Sequence, residues 1–149
     1  MKEFGVNELV PHSGSMSLLS KIVDYGEDWL YAEVQINNDS MFVDERGVPA
    51  WIGLEYMAQA VAAHAGSQER KDGQAPKLGF LLGTRKYICS ADYFSLGQVL
   101  SIKVQRVIQG ENGLSAFQCF LHGENIEATA SLNVFQPNDA SEFLKEASS

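Results

Sequence analysis

The sequence predicts an α+β fold, one antiparallel sheet wrapped around a single long central helix, on three observations. Apolar residues alternate at period two in Leu30, Ala32, Val34 and Ile36, and again in Ile126, Ala128, Ala130, Leu132 and Val134, the signature of half-buried strands. Between Pro49 and Gly66 the pattern turns helical, with Ala, Leu, Met, Gln and Glu dominating. Strands then return in quick succession, so the order is strand, strand, helix, antiparallel meander. One helix in the concave face of one sheet satisfies that order.

Taken in turn, residues 18–25 read as a first strand, Gly26-Glu27-Asp28 as a turn and residues 30–36 as a second strand. Pro49 suits a first helical turn and Gly66 a helical stop. At about 100° per residue, Trp51, Leu54, Ala58, Val61, Ala62 and Ala65 fall on one apolar stripe, expected to be the buried one. The alanines thin the helix so that a sheet can curl closely around it. A polar loop is expected over residues 68–76, then strands over 78–87, 99–108 and 114–121, with turns at Gly110-Glu111-Asn112-Gly113 and His122-Gly123-Glu124-Asn125. The last strand, from Ile126, closes the meander. Pro137, Asn138 and Asp139 break the pattern, leaving residues 137–149 as a tail. At 149 residues, with no repeat and no linker, one domain is expected, its core spanning about residues 9–136.

Composition excludes several functions. Eleven Lys and Arg against nineteen Asp and Glu give a net charge of −8, which repels a polyanionic backbone, so nucleic acid is not an expected partner. Five of the eleven basic residues, Arg70, Lys71, Lys77, Arg85 and Lys86, nevertheless fall within seventeen positions, a local patch suited to an acidic protein or simply to balancing nearby acids. Cys89 and Cys119 are too few and too far apart for a disulfide scaffold or a metal site. No apolar leader follows Met1 and no eighteen apolar residues run together, so a cytoplasmic protein without a membrane span is expected. Phosphate-cradling, dinucleotide, zinc-protease and nucleophile-elbow motifs are absent from the sequence, and no cofactor or metal is implied.

Five polar residues stand out. Glu55 falls about 40° from Trp51 and about 20° from Ala62 on the wheel, at the margin of the expected buried stripe. A carboxyl drawn partly out of water holds its proton more readily, which suits a general acid, although an arbitrary helical Glu more often bends out to solvent. Gln59, one turn on, is placed to hydrogen-bond Glu55 or an incoming amide. His64 lies nine residues after Glu55, on the opposite side of the helix. His122 falls in an expected turn, and His12 lies in a polar segment before the first strand, where it can border a cleft.

Together, Leu9-Val10-Pro11-His12, the helical run Leu54-Glu55-Tyr56-Met57-Ala58-Gln59-Ala60 and the closing meander resemble the hotdog-fold 3-hydroxyacyl-ACP dehydratases over about residues 9–136. That family carries its catalytic carboxylate immediately before a Met-Ala-Gln triplet, close to the place of Glu55, and Leu96-Gly97 resembles the bend that starts its long strand. The fatty-acid members place a catalytic His in a Gly-His-Phe-Pro loop. Here the corresponding stretch, from Met41-Phe42-Val43 to Pro49, has no histidine. The chain therefore looks more like the divergent branch of aryl-polyene-type dehydratases, which are thought to pair with another hotdog subunit.

The resemblance implies that a base removes the α-proton of a 3-hydroxyacyl thioester while Glu55 protonates the departing hydroxyl. Either His12 is that base, or a partner subunit supplies it, or dehydration has been lost. It further implies substrate contacts from Trp51, Ile52, Gly53, Leu54 and Gln59, with backbone N–H groups at Ile52 to Leu54 facing the thioester oxygen. It implies a homodimer or heterodimer, and an acyl carrier protein bearing a phosphopantetheine-linked substrate, expected to dock on the basic stretch from Arg70 to Lys86. The competing readings are an acyl thioesterase and a non-catalytic subunit that stabilises a dehydratase.

Overall fold

The alternations at the two ends of the sequence become the concave wall of one sheet. The computed structural model describes residues 18–71, 80–110 and 113–135, with side chains described at 18–67, 86–110 and 113–135. Its elements are β1 (Lys21–Tyr25), β2 (Trp29–Gln35), β3 (Val48–Pro49), α1 (Ile52–Lys71), β4 (Phe80–Cys89), β5 (Tyr93–Phe94), β6 (Val99–Gln109), β7 (Leu114–Gly123) and β8 (Ile126–Phe135). Six strands form an antiparallel sheet in the order β1-β2-β6-β7-β8-β4, and β3 pairs with β5 in a two-stranded ribbon.

Each alternating set meets its neighbour in register. Ala32 pairs with Ile102, Ile102 with Leu121 and Leu121 with Ala128, which lays one buried row across four strands. Small residues in such rows, Ala32, Ala128 and Ala130, leave room for the helix. On α1 the facing residues are also small or flat: Gly53, Tyr56, Met57, Ala60, Ala63 and Ser67 are buried. The sheet closes over the helix because alanine and glycine on both surfaces make room for the larger Tyr56, Met57, Ile102 and Leu121 between them.

Several expectations need correction. Pro49 does not open the helix; it lies in β3 opposite Tyr93, and α1 begins at Ile52. Gly66 does not stop it either. Gly66 is buried within α1, which runs on to Lys71 through residues expected in a loop, because tertiary packing outweighs the roughly 1 kcal/mol that glycine costs inside a helix. The short strands β3 and β5 carry no periodic signal at two residues each. His122 lies near the end of β7 rather than in a turn, exposed, 3.6 Å from Glu127.

The start of α1 is tightly fixed. The Tyr87 hydroxyl donates to the Ala50 carbonyl and Ala50 N–H donates to Asp92 O at 2.9 Å. A Cβ on Gly53 would collide with that hydroxyl and stand 3.0 Å from the Phe94 ring, so only glycine lets the first helical turn sit this close to β4 and β5.

The other end is held by the β1–β2 turn. His64 Nε2–H donates to Glu27 O at 2.8 Å, and Arg106 on β6 reaches Asp28 at 2.7 Å and Glu27 O at 3.2 Å. The Phe117 ring stands edge-on to His64 at 5.6 Å between centroids.

Candidate active site

The most consequential correction concerns the face that α1 turns to the sheet. Its buried residues centre on Tyr56, Ala60, Ala63 and Ser67, while the stripe expected to be buried lies about 180° away. Of that stripe only Val61 is buried; Leu54, Ala58, Ala62 and Ala65 are half-buried and Trp51 is 63% exposed. The reason is that α1 is apolar on two sides, and an apolarity wheel weighs Trp and Ala alike while giving no credit to the buried Gln59 and His64.

Glu55 follows from that rotation. It stands exposed on the outward face, one turn after Trp51, and not half out of solvent beside a groove made by this chain. An open cleft of about 420 Å³ does lie near the helix, lined among others by Leu18, Val34, Asn37, Ser40, Met41 and Tyr56. Glu55 does not line it, because Tyr56, the next residue, points about 100° further round.

Gln59 does not reach toward Glu55. It is 3% exposed, and its Oε1 accepts the Leu18 N–H at 2.7 Å, which ties the first strand segment to the helix. Of the amides expected to face a thioester oxygen, Gly53 N–H donates to Ala50 O at 3.0 Å and Leu54 N–H to Trp51 O at 3.3 Å, so both are engaged within the first turn. Ile52 is buried in the core. His64 is buried on the sheet side, far round the helix from Glu55. Its burial lowers its pKa, with the Glu27 carbonyl opposing and the Arg106 charge adding to the shift. Burial also pushes the Tyr56 phenol up to about 12.

His12 and Lys77 lie outside the described residues. Arg70 and Lys71 close α1, Arg85 pairs by its backbone with Ser131, and Lys86 is exposed with a left-handed φ of 56°.

One residue was not singled out from the sequence. Phe42 takes a left-handed φ of 66°, a conformation that costs a bulky residue roughly 1–3 kcal/mol. Its ring is 56% exposed and lies 5.6 Å from that of Trp51, tilted by 53°. An aromatic residue in the polar stretch before Pro49 was the available signal.

The architecture, one helix held by an antiparallel sheet, is the hotdog fold. A model of the ApeP-like family, described as ApeP dehydratase, matches residues 4–145, and the chain belongs to that family. Among solved structures it is similar to the dehydratase heterocomplex ApeI:P from Xenorhabdus doucetiae, with 26% identity, 99% of this chain and 100% of that chain covered, and a TM-score of 0.88. It is also similar to a hypothetical thioesterase with coenzyme A from Streptococcus pneumoniae (15% identity, 80% and 88% covered, TM-score 0.57) and to PaaI of Escherichia coli (13%, 77% and 81%, 0.60). These two likenesses show the fold alone. No curated protein matches the chain. No described helix is long and apolar enough to cross a membrane.

Proposed function

We infer that the chain is one subunit of a dehydratase acting on 3-hydroxyacyl thioesters in aryl-polyene-type biosynthesis, completed by a second hotdog subunit. The observation that carries this reading is the place of Glu55 on an apolar helix face that its own chain leaves half-covered. The likeness to a dehydratase heterocomplex supports a hotdog subunit as the cover.

Covering that face removes water from around the carboxyl, as proton donation to a poor leaving group requires. A base, either His12 or a histidine of the second subunit, takes the α-proton. The Cα–H electrons form the Cα–Cβ double bond, the Cβ–O bond breaks, and Glu55 supplies the proton that lets the hydroxyl leave as water, giving the trans-2-enoyl thioester. Negative charge gathers meanwhile on the thioester oxygen, and the positive end of the α1 dipole favours it. The substrate arrives on an acyl carrier protein, with Arg70, Lys71, Lys77, Arg85 and Lys86 as its proposed docking stretch.

The test is hydration of a short enoyl thioester by the chain alone and with its second subunit. Glu55→Gln is expected to lower turnover by about 10²–10⁴-fold with the assembly intact. Full activity in that variant would falsify the acid assignment. A pair whose turnover is unchanged by Glu55→Gln and is lost on replacing the second subunit's own carboxylate points to the non-catalytic reading. Charge reversal at Arg85 and Lys86 is expected to weaken carrier binding with a steep salt dependence, and unchanged affinity removes the docking stretch.

A further inference from the structure

Phe42 and Trp51 are two large aromatic rings that the chain exposes and yet holds firmly. The Phe42 backbone is in the left-handed region, and its ring recovers little of that cost through burial, being 56% exposed. The loop around it is braced: Val43 N–H donates to Ser40 O at 3.2 Å, Asp44 and Gly47 exchange backbone hydrogen bonds at 2.8 and 3.1 Å, and the Arg46 guanidinium stacks 4.3 Å over the Tyr93 ring. Val107, Ile108 and Leu114, exposed around the β6–β7 hairpin, are by contrast all aliphatic.

The place of Trp51 just before the start of α1 says what meets the pair. If Glu55 protonates the C3 hydroxyl and the helix N-terminus stabilises the C1 oxygen, the substrate runs from C3 to C1 toward the start of the helix. Trp51 stands beyond that start, one turn or about 6 Å before Glu55. What passes there is the thioester sulfur and the amide-bearing arm behind it. Flat amides lie well on aromatic faces, and a tilted ring pair offers both a face and an edge.

We propose that Phe42 and Trp51 form the subsite that grips the pantetheine arm of the thioester, whether that arm hangs from a carrier protein or from coenzyme A. The proposal rests on the dehydratase reading for the direction of the substrate. It makes the pair binding residues and leaves the proton transfers to Glu55 and the base.

The experiment titrates S-methylpantetheine, which has the arm and no reacting carbon, into the assembled subunits by calorimetry. Trp51→Ala and Phe42→Gly are each expected to raise its Kd by up to about tenfold, and Trp51→Phe to recover part of the loss. Glycine suits the φ at position 42, so that variant keeps its fold. With crotonyl-CoA and crotonyl-carrier protein, both variants are expected to raise KM by the same factor while kcat holds. Unchanged S-methylpantetheine affinity overturns the proposal. So does a loss seen with the carrier protein alone, which places the rings against the carrier surface. Subunits that separate on gel filtration while the intact pair keeps its affinity for the arm show that the rings cover the partner instead, which also overturns it. If ring-dependent binding is seen but no crotonyl thioester turns over, the arm subsite stands and the reaction assignment fails.

Discussion

On its inner side α1 presents Tyr56, Met57, Ala60 and Ala63 to the sheet, each no more than 2% exposed, and every one of them touches a finished core. On its outer side Leu54, Ala58, Ala62 and Ala65 are half-buried, flanked by the open Trp51 and Glu55. Composition barely distinguishes the two sides. What differs is whether the chain supplies its own cover, and the difference teaches that one helix can be a core element in one direction and an uncovered apolar face in the other. Of the candidate residues, Glu55 and Trp51 lie on the unfinished side, whereas Gln59 and Ile52 are buried.

The comparison breaks most visibly if the inner side proves tolerant. Leu121→Ala, in the buried row under the helix, is expected to cost about 2–5 kcal/mol in denaturant unfolding. Ala60→Leu should cost about 1–3 kcal/mol by forcing helix and sheet apart. The outer counterpart, Ala62→Leu, is expected to change the stability of the chain alone by less than about 0.5 kcal/mol, yet to weaken association with the second subunit on gel filtration. Equal effects of the two leucines on unfolding would erase the distinction between the faces.

Acid sharpens it further. His64 is buried and neutral, with a folded pKa below its ordinary value of 6.5. The unfolded chain therefore binds the extra proton first, so stability is full above about pH 6.5 and declines as pH falls from there toward the lowered folded value. The groups around the ring are the Glu27 and Gly26 carbonyls, Asp28, Arg106 and the Phe117 ring. His64→Gln should flatten this part of the melting-temperature profile between pH 8 and 5. The smallest expected effect is on Cys119, whose thiol burial pushes up to about 12: it should resist alkylation at pH 8 until the chain unfolds.

Much of the fold could be read from the residues. Leu30 to Ile36 and Ile126 to Val134 alternate because one face of each strand packs on α1, and that constraint is local enough to show in sequence. The helix was legible as an element but not in its orientation, since Trp51 and the outer alanines look as apolar as Ala60 and Ala63. Gln59 and His64 were invisible as interior groups because their partners, Leu18 N–H and Glu27 O, lie 41 and 37 residues away. Glu55 was found through its neighbours Met57-Ala58-Gln59, a pattern of chemistry, while Phe42 offered only an aromatic ring in a polar stretch, its left-handed backbone angle being announced by no residue type.

The outermost strand β4 has a further consequence. Among the described strands it is hydrogen-bonded to β8 alone, and its ladder is cut by register shifts into stretches of two, three and two residues, with exposed Lys86 inside the second break. A flat ten-residue border would invite endless stacking of like chains into fibrils; a jagged one, carrying a charge at its kink, accepts only a neighbour cut to the same outline. Smoothing that border, by removing Lys86 and so the bulge it occupies, is expected to trade solubility for indiscriminate self-association.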